Sequence, residues 1–282
     1  MSESPQTQPG QGAVEPTRRH TAVSLAARKG TPERTAVVTA YDVAYARLAD
    51  EAGIEVILVG DSVGMVIQGL DSTLPVTLDE MVYHTRAVAR GVRRAHVVAD
   101  MPFLSYQASI EDGIRAAGRL IKEGGAHAVK VEGGVDVAPL VSRLVRIGIP
   151  VMGHVGMTPQ SVHMFGGFKV QGRTAAQRTR ILEDARAISD AGAYALVIES
   201  VPRGLGADIS RLVSALTIGI GAGADCDGQV LVMHDLLGLD PRWKPRFARR
   251  YADLGNAARV AFAAYAADVR SGAFPAREEE FE

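Results

Sequence analysis

Cysteine is nearly absent: Cys226 stands alone in 282 residues. An internal disulfide is thereby excluded, and the composition suits a reducing cytosol. No apolar run approaches the roughly 18 residues that a membrane span requires. Charge of neither sign prevails, with 31 Lys and Arg interspersed among 32 Asp and Glu for a net charge of −1. Such a balance offers neither a nucleic-acid groove nor a polybasic membrane patch. The pair Arg18-Arg19 has the look of an export signal, but Thr21 to Arg28 puts no sustained apolar segment behind it. A cytoplasmic protein acting on small molecules is expected.

What is present is a chain that can bury a large core, with 47% hydrophobic residues; its length allows one large domain or two smaller ones. Residues 1–20 are rich in Gln, Ser, Pro, Thr and Gly and hold almost no large apolar residue. Burial cannot offset ordering entropy there, so a disordered tail is expected ahead of a domain over 21–282. From Arg34 onward strands and helices alternate. The strands are read at 36–40, 56–59, 96–100, 128–132, 150–154, 194–199, 217–221 and 230–235, each a short apolar run rich in β-branched residues. Helices are read at 44–52, from the capping box Thr77/Glu80 to Gly91, from Ser109/Asp112 to Gly124-Gly125, and at 137–147, 175–191 and 209–215. Further helices fill 245–271, and long loops occupy 63–76 and 155–173.

Strict alternation predicts a parallel sheet with right-handed crossovers. Eight units in about 240 residues favour a closed (β/α)8 barrel, a TIM barrel of the α/β class. An open doubly wound sheet shares the periodicity, but its G-x-G-x-x-G fingerprint is missing after the first strand, where Thr39-Ala-Tyr-Asp-Val-Ala stands. Gly219-Ile-Gly-Ala-Gly223 follows strand seven, where barrels often bind phosphate; such a stretch more often marks a tight turn.

Asp61, Asp100, Glu132, His154, Glu199 and Asp235 all fall at the ends of predicted strands. One such acid alone commonly caps a helix or starts a turn. Several carboxylates converging on one barrel mouth differ, because their repulsion is costly without a cation or shared protons. Oxygen ligands from Asp61, Asp100 and Glu132 suit a hard divalent ion, Mg²⁺ first, and cysteine's absence from the set argues against structural zinc. Lys130, two residues before Glu132, shares its strand face toward the barrel interior. It reads as an internal ion-pair partner, a clamp for a substrate carboxylate, or a Schiff-base lysine with a depressed pKa. His154 reads as a core histidine or, given its company, a substrate contact. The glycine-rich loop 155–173 reads as a hinged lid or an ordinary surface loop. Asp235 is set aside as a turn residue.

These stretches together resemble the ketopantoate hydroxymethyltransferase (3-methyl-2-oxobutanoate hydroxymethyltransferase) family. The resemblance rests on Thr39-Ala-Tyr-Asp42, Val59-Gly-Asp-Ser-Val-Gly-Met65, Gln68-Gly-Leu-Asp-Ser-Thr-Leu-Pro75, Tyr83-His-Thr85 and Ala99-Asp-Met-Pro-Phe103. It continues through Val129-Lys-Val-Glu-Gly-Gly134, Gly153-His-Val-Gly-Met-Thr-Pro-Gln-Ser161, Phe165-Gly-Gly-Phe-Lys-Val-Gln-Gly172, Ile198-Glu199, Gly219 to Gly223 and Gln229-Val-Leu-Val-Met-His-Asp235. The stretches run collinearly over nearly everything after residue 20.

The resemblance implies a (β/α)8 barrel that moves a one-carbon unit from 5,10-methylenetetrahydrofolate to 3-methyl-2-oxobutanoate, giving 2-dehydropantoate for pantothenate synthesis. Residue by residue it implies Mg²⁺ on Asp61, Asp100 and Glu132, oxoacid binding by Asp61, Ser62, Asp100 and Lys130, and Glu199 as proton acceptor. On that reading Mg²⁺ stabilises an enolate, and Lys130 turns away from Schiff-base chemistry. The family also forms ring-like homo-oligomers, usually decamers. Ser200 departs from relatives that carry cysteine there. The strand-end acids alone fit two other readings: a Mg²⁺-dependent oxoacid aldolase or lyase barrel, and a non-catalytic barrel that binds an organic acid.

Overall fold

Eight parallel strands close in chain order into a barrel, β1 pairing with β8, in the computed structural model, which describes residues 19–242 and 245–281. The strands are β1 (Thr35–Thr39), β2 (Val56–Val59), β3 (His96–Asp100), β4 (Ala128–Glu132), β5 (Val151–Gly156), β6 (Ala195–Glu199), β7 (Leu216–Ile220) and β8 (Gly228–Leu231). The helices are α1 (Ala22–Ala26), α2 (Val43–Glu51), α3 (Val63–Val66), α4 (Leu78–Gly91), α5 (Ile110–Lys122), α6 (Ala138–Arg146), α7 (Val162–Phe165), α8 (Ala175–Asp190), α9 (Arg203–Leu212), α10 (Met233–Leu237) and α11 (Leu254–Ser271). The (β/α)8 architecture expected from alternation is therefore present. Residues 1–18 of the expected tail lie outside the described residues. Arg19 and His20, counted with that tail, bond to the barrel: Arg19 Nε donates to Arg93 O and His20 N to Arg94 O.

Residues alternate along each strand between two apolar sets. Ile57, Val97, Val129, Val151 and Leu196 face outward and pack with Leu120, Leu144 and Ile188 of the helices. Val56, Leu58, Val98, Ala128, Met152, Ala195 and Val197 fill the interior. The upper interior layer is polar. Register sets it: Asp100 pairs with Lys130, Glu132 with His154, and Gly156 with Glu199. Close packing holds β5 in that register, since a Cβ on Gly153 would come within 2.3 Å of Ile188 Cγ2 on α8. Gly156 turns the chain out of β5 at φ +95°, where a Cβ would meet Glu199 O at 2.4 Å, and Met157 N donates to that same carbonyl.

The Thr77/Glu80 capping box forms, and Ser109 caps α5 by accepting from Asp112 N. Several expected bounds shift. The loop 63–76 contains α3, and 155–173 contains the 3-10 turn Pro159–Ser161 and α7. β8 stops at Leu231, and Met233 N donates to Thr39 Oγ1, so His234 and Asp235 lie on α10 and not at a strand end. α9 begins at Arg203, well before the expected residue 209, and runs through Gly204 and Gly206 to Leu212. Gly206 is there for proximity: a Cβ would lie 2.3 Å from Ala222 O. The last helix starts at Leu254, not near Pro245. After β7, Gly221 and Gly223 take positive φ and the Gly223 carbonyl accepts from Gln229 Nε2, as in a tight turn.

Among the described residues no helix is long and apolar enough to cross a membrane. α11 buries none of its residues, leaving Val260, Phe262, Tyr265 and Val269 exposed.

Candidate active site

The polar layer opens on the C-terminal mouth of the barrel as a cavity of about 150 Å³. Asp61, Ser62, Asp100, Lys130, Glu132, His154 and Glu199 all line it. Every residue that the sequence reading assigned to the site is thus brought to one place. β4 supplies two of them because Lys130 and Glu132 are two apart; β5 and β6 supply His154 and Glu199; Asp61 and Ser62 follow β2, and Asp100 ends β3. Leu58, Val197, Ile220 and Val230 form an apolar floor, and Phe168 reaches the rim from the 155–173 loop.

Lys130 organises the charges. Its Nζ lies 3.2 Å from Asp100 Oδ1, 3.6 Å from Glu132 Oε1 and 3.1 Å from His154 Nδ1. Burial works against the ammonium, but Asp100, Glu132 and Asp61 outweigh it and hold the lysine above its ordinary pKa. A charged Lys130 is an ion-pair partner of Asp100 and Glu132 and lacks the free amine that Schiff-base chemistry requires. Burial also pushes Asp61 well above the usual carboxylate range, with repulsion from Asp100 and Glu132 adding to it. Asp100 is raised by burial too, against the pull of Lys130. For Glu132 burial acts upward, yet Lys130 and the His154 bond prevail and its carboxyl lies below the usual range.

His154 sits between two acids, with Nδ1 3.4 Å from Glu132 Oε1 and Nε2 3.3 Å from Glu199 Oε2. Burial and Lys130 lower its proton affinity, but the two carboxylates lift it to about 9. Lys130 Nζ can only donate, so while Nδ1 accepts from it the ring carries a single proton, on Nε2 and facing Glu199. A second proton on Nδ1 requires the ammonium to turn toward Asp100 and Glu132.

Three neutral residues that sequence reasoning missed complete the site. Tyr41 Oη lies 2.8 Å from Ser62 Oγ. Tyr106 Oη accepts from Glu132 N at 3.0 Å, and Gln160 reaches Asp61. Tyr41 and Gln160 stood inside the quoted stretches without a role; nothing in the sequence marks Tyr106. Directly after Glu199, Ser200 adopts φ 47°, a left-handed conformation pinned by its N–H on Ile220 O and its carbonyl on Gln171 N.

Among the described residues no three His, Cys, Asp or Glu side chains already stand in a ligand arrangement. The donor chemistry nonetheless fits a hard divalent cation. Asp61, Asp100 and Glu132 offer only oxygens, share one cavity, and outnumber the lysine among them. Among the described residues the buried Asp100 Oδ1 has the Lys130 ammonium, 3.2 Å away, as its neighbour and no well-directed hydrogen bond. A buried carboxylate oxygen in that condition is open to a cation.

Over residues 19–277 the chain matches the family model described as Ketopantoate hydroxymethyltransferase. It is 52% identical over 264 residues to the 3-methyl-2-oxobutanoate hydroxymethyltransferase of Syntrophotalea carbinolica, covering 94% of this chain and 99% of that protein. To the protein of the same name from Moorella thermoacetica it is 55% identical over 263 residues, 93% of this chain and 98% of that protein. Among solved structures it is similar to phosphonopyruvate hydrolase, with TM-score 0.61, 13% identity and 92% of each chain covered. It is also similar to 2,3-dimethylmalate lyase, a PEP mutase/isocitrate lyase superfamily member, with TM-score 0.57, 17% identity and 92% and 91% coverage. At those identities the two structures share the barrel alone. The length of the family match and the level of identity lead to one assignment: the chain belongs to the ketopantoate hydroxymethyltransferase family.

Proposed function

We propose that this chain transfers a hydroxymethyl unit from 5,10-methylenetetrahydrofolate to 3-methyl-2-oxobutanoate, giving 2-dehydropantoate for pantothenate synthesis in the cytoplasm. The observation that carries this reading is the placement of Glu199 on the same small buried cavity as Asp61, Asp100, Glu132 and the charged Lys130. Asp61, Asp100 and Glu132 would hold a divalent cation, Mg²⁺ first, which when bound withdraws electron density from the substrate's keto oxygen and acidifies the neighbouring C3 hydrogen.

The chain's own residues do the rest. Lys130 and the Ser62 hydroxyl bind the oxoacid carboxylate, and Tyr41, 2.8 Å from Ser62 Oγ, fixes that hydroxyl. Water cleaves the two C–N bonds of the donor's methylene, tetrahydrofolate leaves, and a carbon at the formaldehyde level remains. Glu199 takes the proton from C3, the electron pair left there attacks that carbon, and its oxygen takes up a proton to become the new hydroxyl. His154 Nε2 lies 3.3 Å from Glu199 Oε2, close enough to attract and orient that carboxylate. The apolar floor of Val197, Ile220 and Val230 suits the two methyl groups on C3 and excludes water. Orientation within this pocket supplies much of the rate. Self-association is part of the reading: an 18-residue helix with no buried residue, α11, supports a homo-oligomer, a decamer on the family pattern.

Formation of 2-dehydropantoate from the two substrates, followed by mass spectrometry, tests the assignment. The reaction is expected to stop in EDTA, and enzyme treated with borohydride in the presence of the oxoacid and then desalted is expected to keep its activity, because no imine forms on Lys130. A lyase would show cleavage of a different oxoacid and no product here. A binding barrel would take up the oxoacid in a chelator-sensitive way without turnover.

A further inference from the structure

Gln160 occupies the 3-10 turn after β5, with 7% of its surface exposed, and all four hydrogen-bonding positions of its amide are used. Nε2 donates to Asp61 Oδ2 and to Met101 O, each at 2.9 Å. Oε1 accepts from Gln107 Nε2 at 2.9 Å and from Tyr106 Oη at 2.8 Å, the single Tyr106 proton being shared with Glu132 O at 3.1 Å. The Met101 carbonyl can only accept, so it fixes which end of the amide faces Asp61. The main chain of the same residue reaches a second acid, since Gln160 N donates to Glu132 Oε2 at 2.9 Å.

We infer that Gln160 is a positioning residue that sets the pose of the Asp61 and Glu132 carboxylates, and through them the cavity's affinity for a divalent cation. This rests on the reading of Asp61, Asp100 and Glu132 as the cation site. Among the described residues Gln160 Nε2 is the one side-chain or main-chain donor to the Asp61 carboxylate. Around it Asp61 meets repulsion from Asp100 and Glu132 and attraction from the Lys130 ammonium, neither of which fixes the rotation of its carboxylate. One amide therefore decides whether the Asp61 oxygens are presented beside those of its neighbours. Tyr106 strengthens the arrangement from behind: it holds the Gln160 carbonyl while accepting from Glu132 N, tying the turn after β5 to the end of β4. Groups that orient ligating side chains in this way typically govern metal affinity by about 10- to 100-fold.

The test is Mn²⁺ titration of metal-free protein, read by the electron paramagnetic resonance of the free ion, in wild type, Gln160→Met and Tyr106→Phe. Thermal unfolding in EDTA is recorded beside it. Gln160→Met is expected to bind Mn²⁺ about 10- to 100-fold more weakly, and Tyr106→Phe, which keeps the amide but loosens its anchor, several-fold more weakly. A purely structural role would lower the melting temperature in EDTA and leave the Mn²⁺ affinity unchanged, overturning the inference. Should Gln160→Met fail to fold, Tyr106→Phe carries the same comparison. Wild type that binds no Mn²⁺ would overturn the cation site itself; wild-type binding matched by both variants would overturn only the role given to Gln160.

Discussion

Two histidines at opposite ends of the barrel illustrate how surroundings fix a side chain's task. His154, at the mouth, is held between Glu132 and Glu199 and gains proton affinity. His96, at the start of β3, is 2% exposed, and among the described residues neither ring nitrogen has a well-formed hydrogen bond, the ring packing against His127 and Tyr194. Burial, and then His127 beside it, push its pKa down to about 3 from 6.5. Between those values the unfolded chain binds a proton that the folded chain refuses. Stability from this group is therefore full above pH 6.5 and is lost as pH falls toward 3. At pH 5 the loss relative to pH 7 comes to about 2 kcal/mol. Urea unfolding of wild type and His96→Phe at both pH values isolates it. The variant should lose about 2 kcal/mol less on acidification, and equal losses would show that His96 is not kept neutral.

At the scale of elements, the strands that end on acids were the most legible. The bounds of β2, β3 and β4 coincide with those expected, because a β-branched run buried on both faces stops sharply where a carboxylate or glycine turns to the mouth. The strand expected over 230–235 instead runs from Gly228 to Leu231, because Val230-Leu-Val232 is apolar throughout and the sheet gives way to α10 with no change in hydropathy. α9 was cut short because Gly204 and Gly206 resemble a loop, while Gly206 is required by contact with Ala222. The site divides the same way. Its charged members stand at strand ends, where the repeat makes them visible. Tyr41, Tyr106 and Gln160 are neutral groups on loops, and their worth lies in partners far away in sequence. β5 is the element most sensitive to packing, because Gly153 touches α8 one residue before His154. Gly153→Ala should cost about 1–3 kcal/mol in urea unfolding and reduce kcat by moving His154 against Glu199. A variant as stable and as active as wild type would show that β5 has room to spare.

The whole molecule is a barrel with one surplus element. α5, α6, α8 and α9 each bury a face, but α11 carries Phe262, Tyr265 and Val269 in the open after leaving the barrel. Eighteen residues of helix gain little from exposure, so another copy of the chain is the expected cover. Light scattering should give a mass several times 29.9 kDa. The double variant Phe262→Asp and Tyr265→Asp should lower it while the circular dichroism of the barrel is retained. A wild-type monomer would refute the self-association.

The most direct measurement concerns the proton that Glu199 is held to remove. The C3 hydrogen of 3-methyl-2-oxobutanoate is followed by NMR in D₂O with wild type and Glu199→Gln, without the one-carbon donor. Wild type with Mg²⁺ should exchange that hydrogen for deuterium, EDTA should stop the exchange, and Glu199→Gln should lose it by at least about 100-fold. Exchange that persists at the wild-type rate in Glu199→Gln, with the variant still binding the oxoacid, would contradict the account.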